Sequence, residues 1–305
     1  MAKKSKGLDG RGRVQAERFW AKAIQSLRPE YGLDMLLEIN GMARSTFYYH
    51  LKALSKADKY EAVQERICEI FTESKGRYGY RRVTMQLRNE GFSINHKTVE
   101  RLMSERGLKC RIRKKRYRSY KGTIGKIAPN ILNRDFKADG PCQKLVTDVS
   151  QISIGAQKSF LSPILDLFNG EVLCYDISDR ADLEQIDKML TKAFAITDKQ
   201  PDGQKILLHS DQGWQYQHKN YQNALLEHGI IQSMSRKGNC LDNSVMENFF
   251  GLMKSELLYA NEYKSIEEFK RDLAQYIDWY NNKRIKAKLN GMSPVQYRAQ
   301  YHRKL

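Results

Sequence analysis

The chain has 305 residues, 41% of them hydrophobic, with 53 Lys and Arg against 35 Asp and Glu for a net charge of +18. That length suffices for two or three domains with sizeable cores, while the absence of any apolar run of about 18 residues argues against a transmembrane helix. The excess of positive charge favours a polyanionic partner, because neutralised phosphates release condensed counterions.

The N-terminus, MAKKSKGLDGRGR, leads into no apolar stretch, so a secretory signal is not expected and residues 1–29 read as a basic tail or helix. A helix-turn-helix is expected over 30–56. There LDMLLEINGMARSTFYYHL gives an apolar helix, a turn at Asn40-Gly41 and a second helix near Ser45. Arg44, Ser45 and Tyr48 are its candidate DNA contacts. A second helical block is expected over 57–120. It begins with a stripe of Val63, Ile67, Ile70 and Phe71 within Tyr60–Ser74. A helix near Arg81–Glu90 stops at Gly91, and another near Lys97–Arg106 also stops at a glycine. Val99 and Leu102 should face inward; Lys97, Glu100 and Arg101 should face outward. The pattern fits both a helix-turn-helix domain and a plain helical bundle. On the first reading Arg81, Arg82, Lys97 and Arg101 would meet DNA.

From Arg106 to Lys121 nine of sixteen residues are basic, interleaved with Tyr117 and Tyr120. Arg111, Arg113, Lys114, Lys115, Arg116 and Arg118 suit a segment laid along phosphates. Gly and Pro mark a linker over 121–140. Beyond it a core is expected over 141–262. KLVTDVSQISI, KSFLSPILDLF and EVLCYDIS read as three strands, with a hairpin at Asn169-Gly170. Helix Ala181–Ile196, strand KILLHS, helix Tyr221–His228, strand IIQSMS and a long helix from near Asn243 follow. A last helix, Ser265–Asn281, belongs to a helical extension over 263–305. Three antiparallel strands followed by alternating strands and helices indicate a mixed α/β sheet. The five cysteines, Cys68, Cys110, Cys142, Cys174 and Cys240, never form C-x-x-C. A reducing compartment and no Cys-rich zinc site are expected.

Three acids sit at telling places. Asp148 is in the middle of the first strand run, Asp211 follows KILLHS at a strand's carboxyl end, and Glu247 lies in the first turns of the long helix. A strand aspartate among apolar neighbours is costly to bury unless it binds something, and open α/β sheets place ligands at carboxyl strand ends. Each acid alone also reads as a strand-edge, turn or cap carboxylate, and Asp242 reads as an N-terminal cap. Together the three could hold hard divalent cations.

LVTDVS, LHSDQGWQY and SRKGNCLDNSVMENFFGLMKSEL resemble the DDE transposases of the insertion-sequence-three family, and the insertion-sequence-one-fifty subgroup in particular. RSTFYYHL, GRYGYRR, INHKTVERLM and YNNKRIKAKLNGMSPVQYR extend the resemblance over nearly the whole chain from about Leu33. Thirty-five residues separate Asp211 from Glu247, the spacing shared with retroviral integrases. Two departures stand out: Leu145 replaces the family's usual Trp, and the segment through ERFWAKAI is atypical. The resemblance implies a ribonuclease-H-like catalytic core behind all-α helix-turn-helix domains. Asp148, Asp211 and Glu247 would be catalytic and would ligate two Mg²⁺ or Mn²⁺ ions. His209, Ser210, Gly213, Tyr216 and Asn243 would support the site. Arg236, Lys237, Asn239 and Lys254 would meet DNA. Lys254 lies seven residues after Glu247, which at about 100° per residue sets both on one side of a helix.

The implied activity is recognition of terminal inverted repeats, 3′-end nicking and direct strand transfer to target DNA. The implied partners are DNA, a second copy of the chain in a paired-end complex, and OrfA, in the bacterial cytoplasm. A DNA-binding regulator without cleavage and a junction-resolving nuclease are the alternatives. The intact triad disfavours the first, and the upstream helical blocks disfavour the second.

Overall fold

The computed structural model describes residues 10–54, 60–110, 127–201 and 203–303. The candidates Arg111, Arg113, Lys114, Lys115, Arg116 and Arg118 lie outside the described residues. The chain divides into two compact units, Met1–Arg66 and Ile67–Leu305. No helix among the described residues is long and apolar enough to cross a membrane.

In the first unit α1 (Gly10–Leu27), α2 (Leu33–Asn40) and α3 (Arg44–Leu54) enclose Ala21, Ile24, Leu33, Leu37 and Phe47. The turn falls where Asn40-Gly41 placed it. Gly41 takes φ 69°, and the Met42 N–H closes back on Leu37 O. That left-handed cap is open to glycine at little cost.

α4 (Glu61–Glu73) leads into the second unit, where α5 (Tyr80–Asn89) and α6 (His96–Glu105) follow. Val83 and Leu87 of α5 and Val99 and Leu102 of α6 are buried, as the periodicity required. Asn95 caps α6 by accepting from the Lys97 N–H.

The sheet is built from β1 (Lys144–Thr147), β2 (Ser150–Ile154), β3 (Gln157–Asp166), β4 (Val172–Ser178), β5 (Ile206–Ser210) and β6 (Ile230–Met234). β1 and β2 pair antiparallel with one side of β3, and β4 pairs antiparallel with the other. β5 runs parallel to β1, and β6 parallel to β5. This is the mixed α/β sheet that the ribonuclease-H-like resemblance implied.

The first strand is not continuous through Asp148, contrary to the reading from sequence. β1 and β2 keep one register on β3, which leaves Asp148 and Val149 opposite Pro163 and Ser162. Proline has no N–H to give the ladder. Its carbonyl accepts instead from the Thr147 hydroxyl, and Asp148 is released from pairing at the strand's end.

Alternation along the strands fills a core on each face of the sheet. Val146 and Leu207 join one core with α9 (Ser244–Met253) and α10 (Ile266–Asn282). Leu145, Ile206 and Leu208 join the other, with α7 (Leu183–Thr197) and α8 (Lys219–Glu227). Leu145, where the family usually has Trp, is fully enclosed there.

α9 runs on through a π-helical turn, Lys254–Leu258. A further helix, α11 (Pro294–His302), follows α10, which the sequence reading took as the last. Its start carries a capping box between Ser293 and Gln296, with Pro294 in the first turn.

The α10 face sets the thickness of the second layer. Phe269 and Leu273 are fully buried there. Phe269→Ala is expected to lower unfolding free energy by about 3–5 kcal/mol, the range for truncating a buried Phe. Urea denaturation measures it. A loss below about 1 kcal/mol would mean that this helix does not close the core.

Candidate active site

Strand register brings the first two acids together. β1 and β5 pair Val146 with His209. Carried two residues further, that register sets Asp148 level with Asp211, one step past the end of each strand. Neighbouring strands lie about 4.8 Å apart, and residues two apart share a face. The shared face is that of Val146, which packs with Met246 and Phe249 of α9. α9 carries Glu247, and the three acids therefore meet at one corner of the sheet.

Electrostatics report the same proximity. Burial pushes the Asp148 carboxyl well above the usual carboxylate range, and Asp211 and then Glu247 push it further. Burial raises Asp211 as well, opposed by the Gly213 N–H on its Oδ1 at 2.8 Å. Among the described residues no set of three or more His, Cys, Asp or Glu side chains is drawn in tightly enough to hold a metal.

The donor chemistry suits a hard cation. All three acids offer carboxylate oxygens, the ligands that hard divalent cations favour. Asn243 Oδ1 is buried without a hydrogen-bond partner among the described residues. Its Nδ2 donates to Thr147 O at 3.2 Å, which ties the start of α9 to the end of β1.

The supporting residues fall around Asp211. Gly213 is there for space, since a Cβ would lie 3.0 Å from Asp211 Oδ1. His209 is fully buried between the Ser233 and Ser235 hydroxyls, at 2.8 and 3.1 Å. Burial lowers its pKa to about 4, so its ring is neutral at physiological pH. The Ser210 hydroxyl donates to Asp211 O. Tyr216 is buried against the aspartates: burial, then Asp148 and Asp211, hold its hydroxyl protonated.

Asp242 caps no helix, contrary to expectation. Its fully buried carboxylate accepts from Arg236 N, Nε and Nη2, from Arg134 Nε and from Asn130 Nδ2, at 2.7–3.0 Å. Arg236, chiefly, holds its pKa far below the usual range. The carboxylate thus fastens the strand-to-helix loop before Glu247 to the segment that enters the core. Arg134 also donates to Asn239 Oδ1 at 2.9 Å. Nothing in the local sequence of Arg134 marks it for this site, because its partners lie about a hundred residues away.

The other candidates divide. Arg236 and Lys237 are exposed beside this loop. Lys254 is half-buried, and its ammonium interacts with Asp148. Arg81, Lys97 and Arg101 are exposed on α5 and α6, Arg101 paired with Glu105. Arg82 turns inward, 3.9 Å from Glu256. In the first unit Arg44 pairs with Asp34 at 2.9 Å, and Ser45 and Tyr48 are exposed on α3. Trp214, not singled out from the sequence, is about half exposed three residues past Asp211.

Models of the integrase core domain match residues 138–240 and 247–301, and a model of an HTH-like domain matches residues 59–116. The protein is therefore an integrase-core protein with a helical HTH-like domain before the core. It is 53% identical to the protein named as transposase InsK for insertion sequence element IS150 of Escherichia coli, over 92% of this chain and 98% of that one. It is 36% identical to the transposase for IS1353 of Shigella flexneri, over 91% of this chain and 54% of that one. A solved structure of the HTLV-2 integrase catalytic core with magnesium is 14% identical, with a TM-score of 0.41 over 52% of this chain and 98% of that one. The chain belongs to the insertion-sequence-three family of transposases, in its IS150 group.

The raised aspartates give a test with a definite sign. A carboxyl with a higher pKa folded than unfolded binds more protons in the folded state. Its charge therefore costs stability increasingly as pH rises above about 3.8. Metal-free Asp148→Asn is expected to melt higher than the unaltered chain at pH 7–8, the gap closing as pH falls toward 4. Equal melting at pH 8 would show that the acids do not repel.

Proposed function

We propose that this transposase binds the terminal inverted repeats of its insertion sequence, nicks DNA to free a 3′-hydroxyl and joins that hydroxyl to target DNA. The observation that carries the reading is the register that levels Asp148 with Asp211, with Glu247 on the helix packed across the same face. In this reading the triad carboxylates hold two divalent cations, Mg²⁺ or Mn²⁺, which supply Lewis-acid stabilisation of charge on the attacking and leaving oxygens.

The chain's own residues do the positioning. Asp148 and Asp211 present oxygens from rigid strand ends, and Glu247 presents its own from α9. The Gly213 N–H and Asn243 fix the approach of their neighbours. In nicking, a water oxygen bonds to phosphorus as the bond to the 3′-oxygen breaks and that oxygen leaves protonated. In joining, the freed 3′-hydroxyl loses its proton, bonds to a target phosphorus and displaces the target's 3′-oxygen. No protein–DNA bond forms. Lys254, facing Asp148, would hold a phosphate beside the reacting one. Arg236, Lys237 and Asn239 would follow the strand out of the site, and Trp214 would offer a face for a base.

The address lies upstream. Arg44, Ser45 and Tyr48 on α3, and Arg81, Lys97 and Arg101 on α5 and α6, are placed outward for DNA. The run Arg111–Arg118 would track phosphates between them and the core. Two element ends must meet for joining, so the active complex would hold at least two copies, with OrfA as a further partner.

Asp148→Ala, Asp211→Ala and Glu247→Ala are each expected to abolish Mg²⁺-dependent nicking and joining of labelled end DNA, while end binding stays within about twofold. Lys254→Ala is expected to weaken DNA binding for every sequence and to lower its salt slope by about one. Robust cleavage by any triad variant would remove that residue from the site.

A further inference from the structure

The helix that carries Glu247 ends against the helical segment upstream of the core. A helix leaves its last carbonyls without partners and concentrates negative charge there. At the end of the π-helical turn, Glu256 O accepts from Arg77 Nε at 3.1 Å. Arg77 is buried, its guanidinium stacked over Trp279 at 4.7 Å and Tyr276 at 5.2 Å. It belongs to GRYGYRR, the segment that opens α5.

The Glu256 side chain is buried in the same place. It accepts from Arg284 Nη2 and Nε at 2.6 and 3.0 Å and from the Tyr276 hydroxyl at 2.9 Å. Arg82, one turn along α5, approaches it to 3.9 Å. Tyr78 completes the seam: its hydroxyl donates to Lys283 O at 3.1 Å and accepts from the Ile285 N–H at 3.0 Å. At the far end of α5, Asn89 Nδ2 donates to Gly291 O at 2.9 Å. These bonds leave Arg81 of α5 exposed. They fix α5 at both ends to the core.

The geometry points to a joint: we propose that Arg77 and Arg82, acting on Glu256 and its partner Arg284, are positioning residues that set where α9 holds Glu247 and Lys254. The inference rests on the transposase reading of the site. Arg77 caps the helix that bears the third acid, and Glu256 lies nine residues beyond that acid on the same continuous helix. The π-helical turn, Lys254–Leu258, contains Glu256 itself and absorbs an extra residue in the helical path, a feature common at functional sites. A misplacement of about 1 Å caused by a change far from the reacting atoms can cost about 100-fold in rate. The helical segment therefore does more than address DNA: its seating on the core sets the catalytic corner.

The test uses the full chain and Mn²⁺ itself as probe, its binding followed by electron paramagnetic resonance, beside Mg²⁺- and Mn²⁺-supported joining of end DNA. Arg77→Lys keeps the charge but loses the Nε donor and the planar stack. It is expected to slow Mg²⁺-supported joining by about tenfold or more and to weaken Mn²⁺ binding by a smaller factor, with partial recovery of joining in Mn²⁺, while end binding holds. Arg82→Ala, whose side chain is partly exposed, is expected to move both readouts the same way by a smaller factor. It carries the test if Arg77→Lys does not fold. Leu225→Ala, in the core beneath α8, controls for lost stability and is expected to leave Mn²⁺ affinity unchanged. Unaltered Mn²⁺ affinity in the folded arginine variants, or an equal loss in Leu225→Ala, overturns the joint. Absence of Mn²⁺ binding by the unaltered chain overturns instead the reading of the site on which it rests.

Discussion

Carboxylates crowded where water is scarce raise one another's energy, and the sheet of this protein crowds two of them by register alone. Asp148 and Asp211 sit level on adjacent parallel strands, and α9 adds Glu247 from the layer above. Among the described residues neither aspartate has a basic side chain hydrogen-bonded to its carboxylate. In the proposed reading a bound divalent cation would supply the positive charge at this corner. Asp242 shows the contrast five residues before Glu247: its carboxylate is fully buried and satisfied by two arginines and an asparagine.

Much of the scaffold follows from holding that corner still. Pro163 ends the pairing of β1 just where Asp148 must leave the strand. Asn243 ties α9 back to β1, and the Asp242 cluster fastens the loop in between. At the other end of α9, Arg77 and the Glu256–Arg284 pair seat the helix against α5. The catalytic helix is thus tethered at both ends by groups from distant parts of the chain.

Features set by local rules were legible in the sequence. Glycine stops at Gly41, Gly91 and Gly107, all with positive φ, bounded the helices. Asn169-Gly170 gave the β3–β4 hairpin, and apolar periodicity gave the buried faces of α5 and α6. The acids were legible from their places relative to strands and from the family motifs. Features set by tertiary partners were not. The break at Asp148 depends on a proline across the ladder, and the inward turn of Arg82 depends on Glu256 far along the chain. Arg134 reads as one more basic linker residue until Asp242 is placed beside it. The capping box that starts α11 stands in the sequence as Ser293-Pro294 followed by Gln296, but of that helix only Pro294 is buried, so no apolar stripe marks it.

The central claim is that the corner formed by Asp148, Asp211 and Glu247 exists to hold metal. Crystals of the protein with end DNA, soaked in Mn²⁺ and measured for anomalous scattering, test it most directly. The account predicts two peaks about 3.5–4 Å apart, bounded by these three carboxylates. No peak at that corner, or peaks ligated by other side chains, would contradict it.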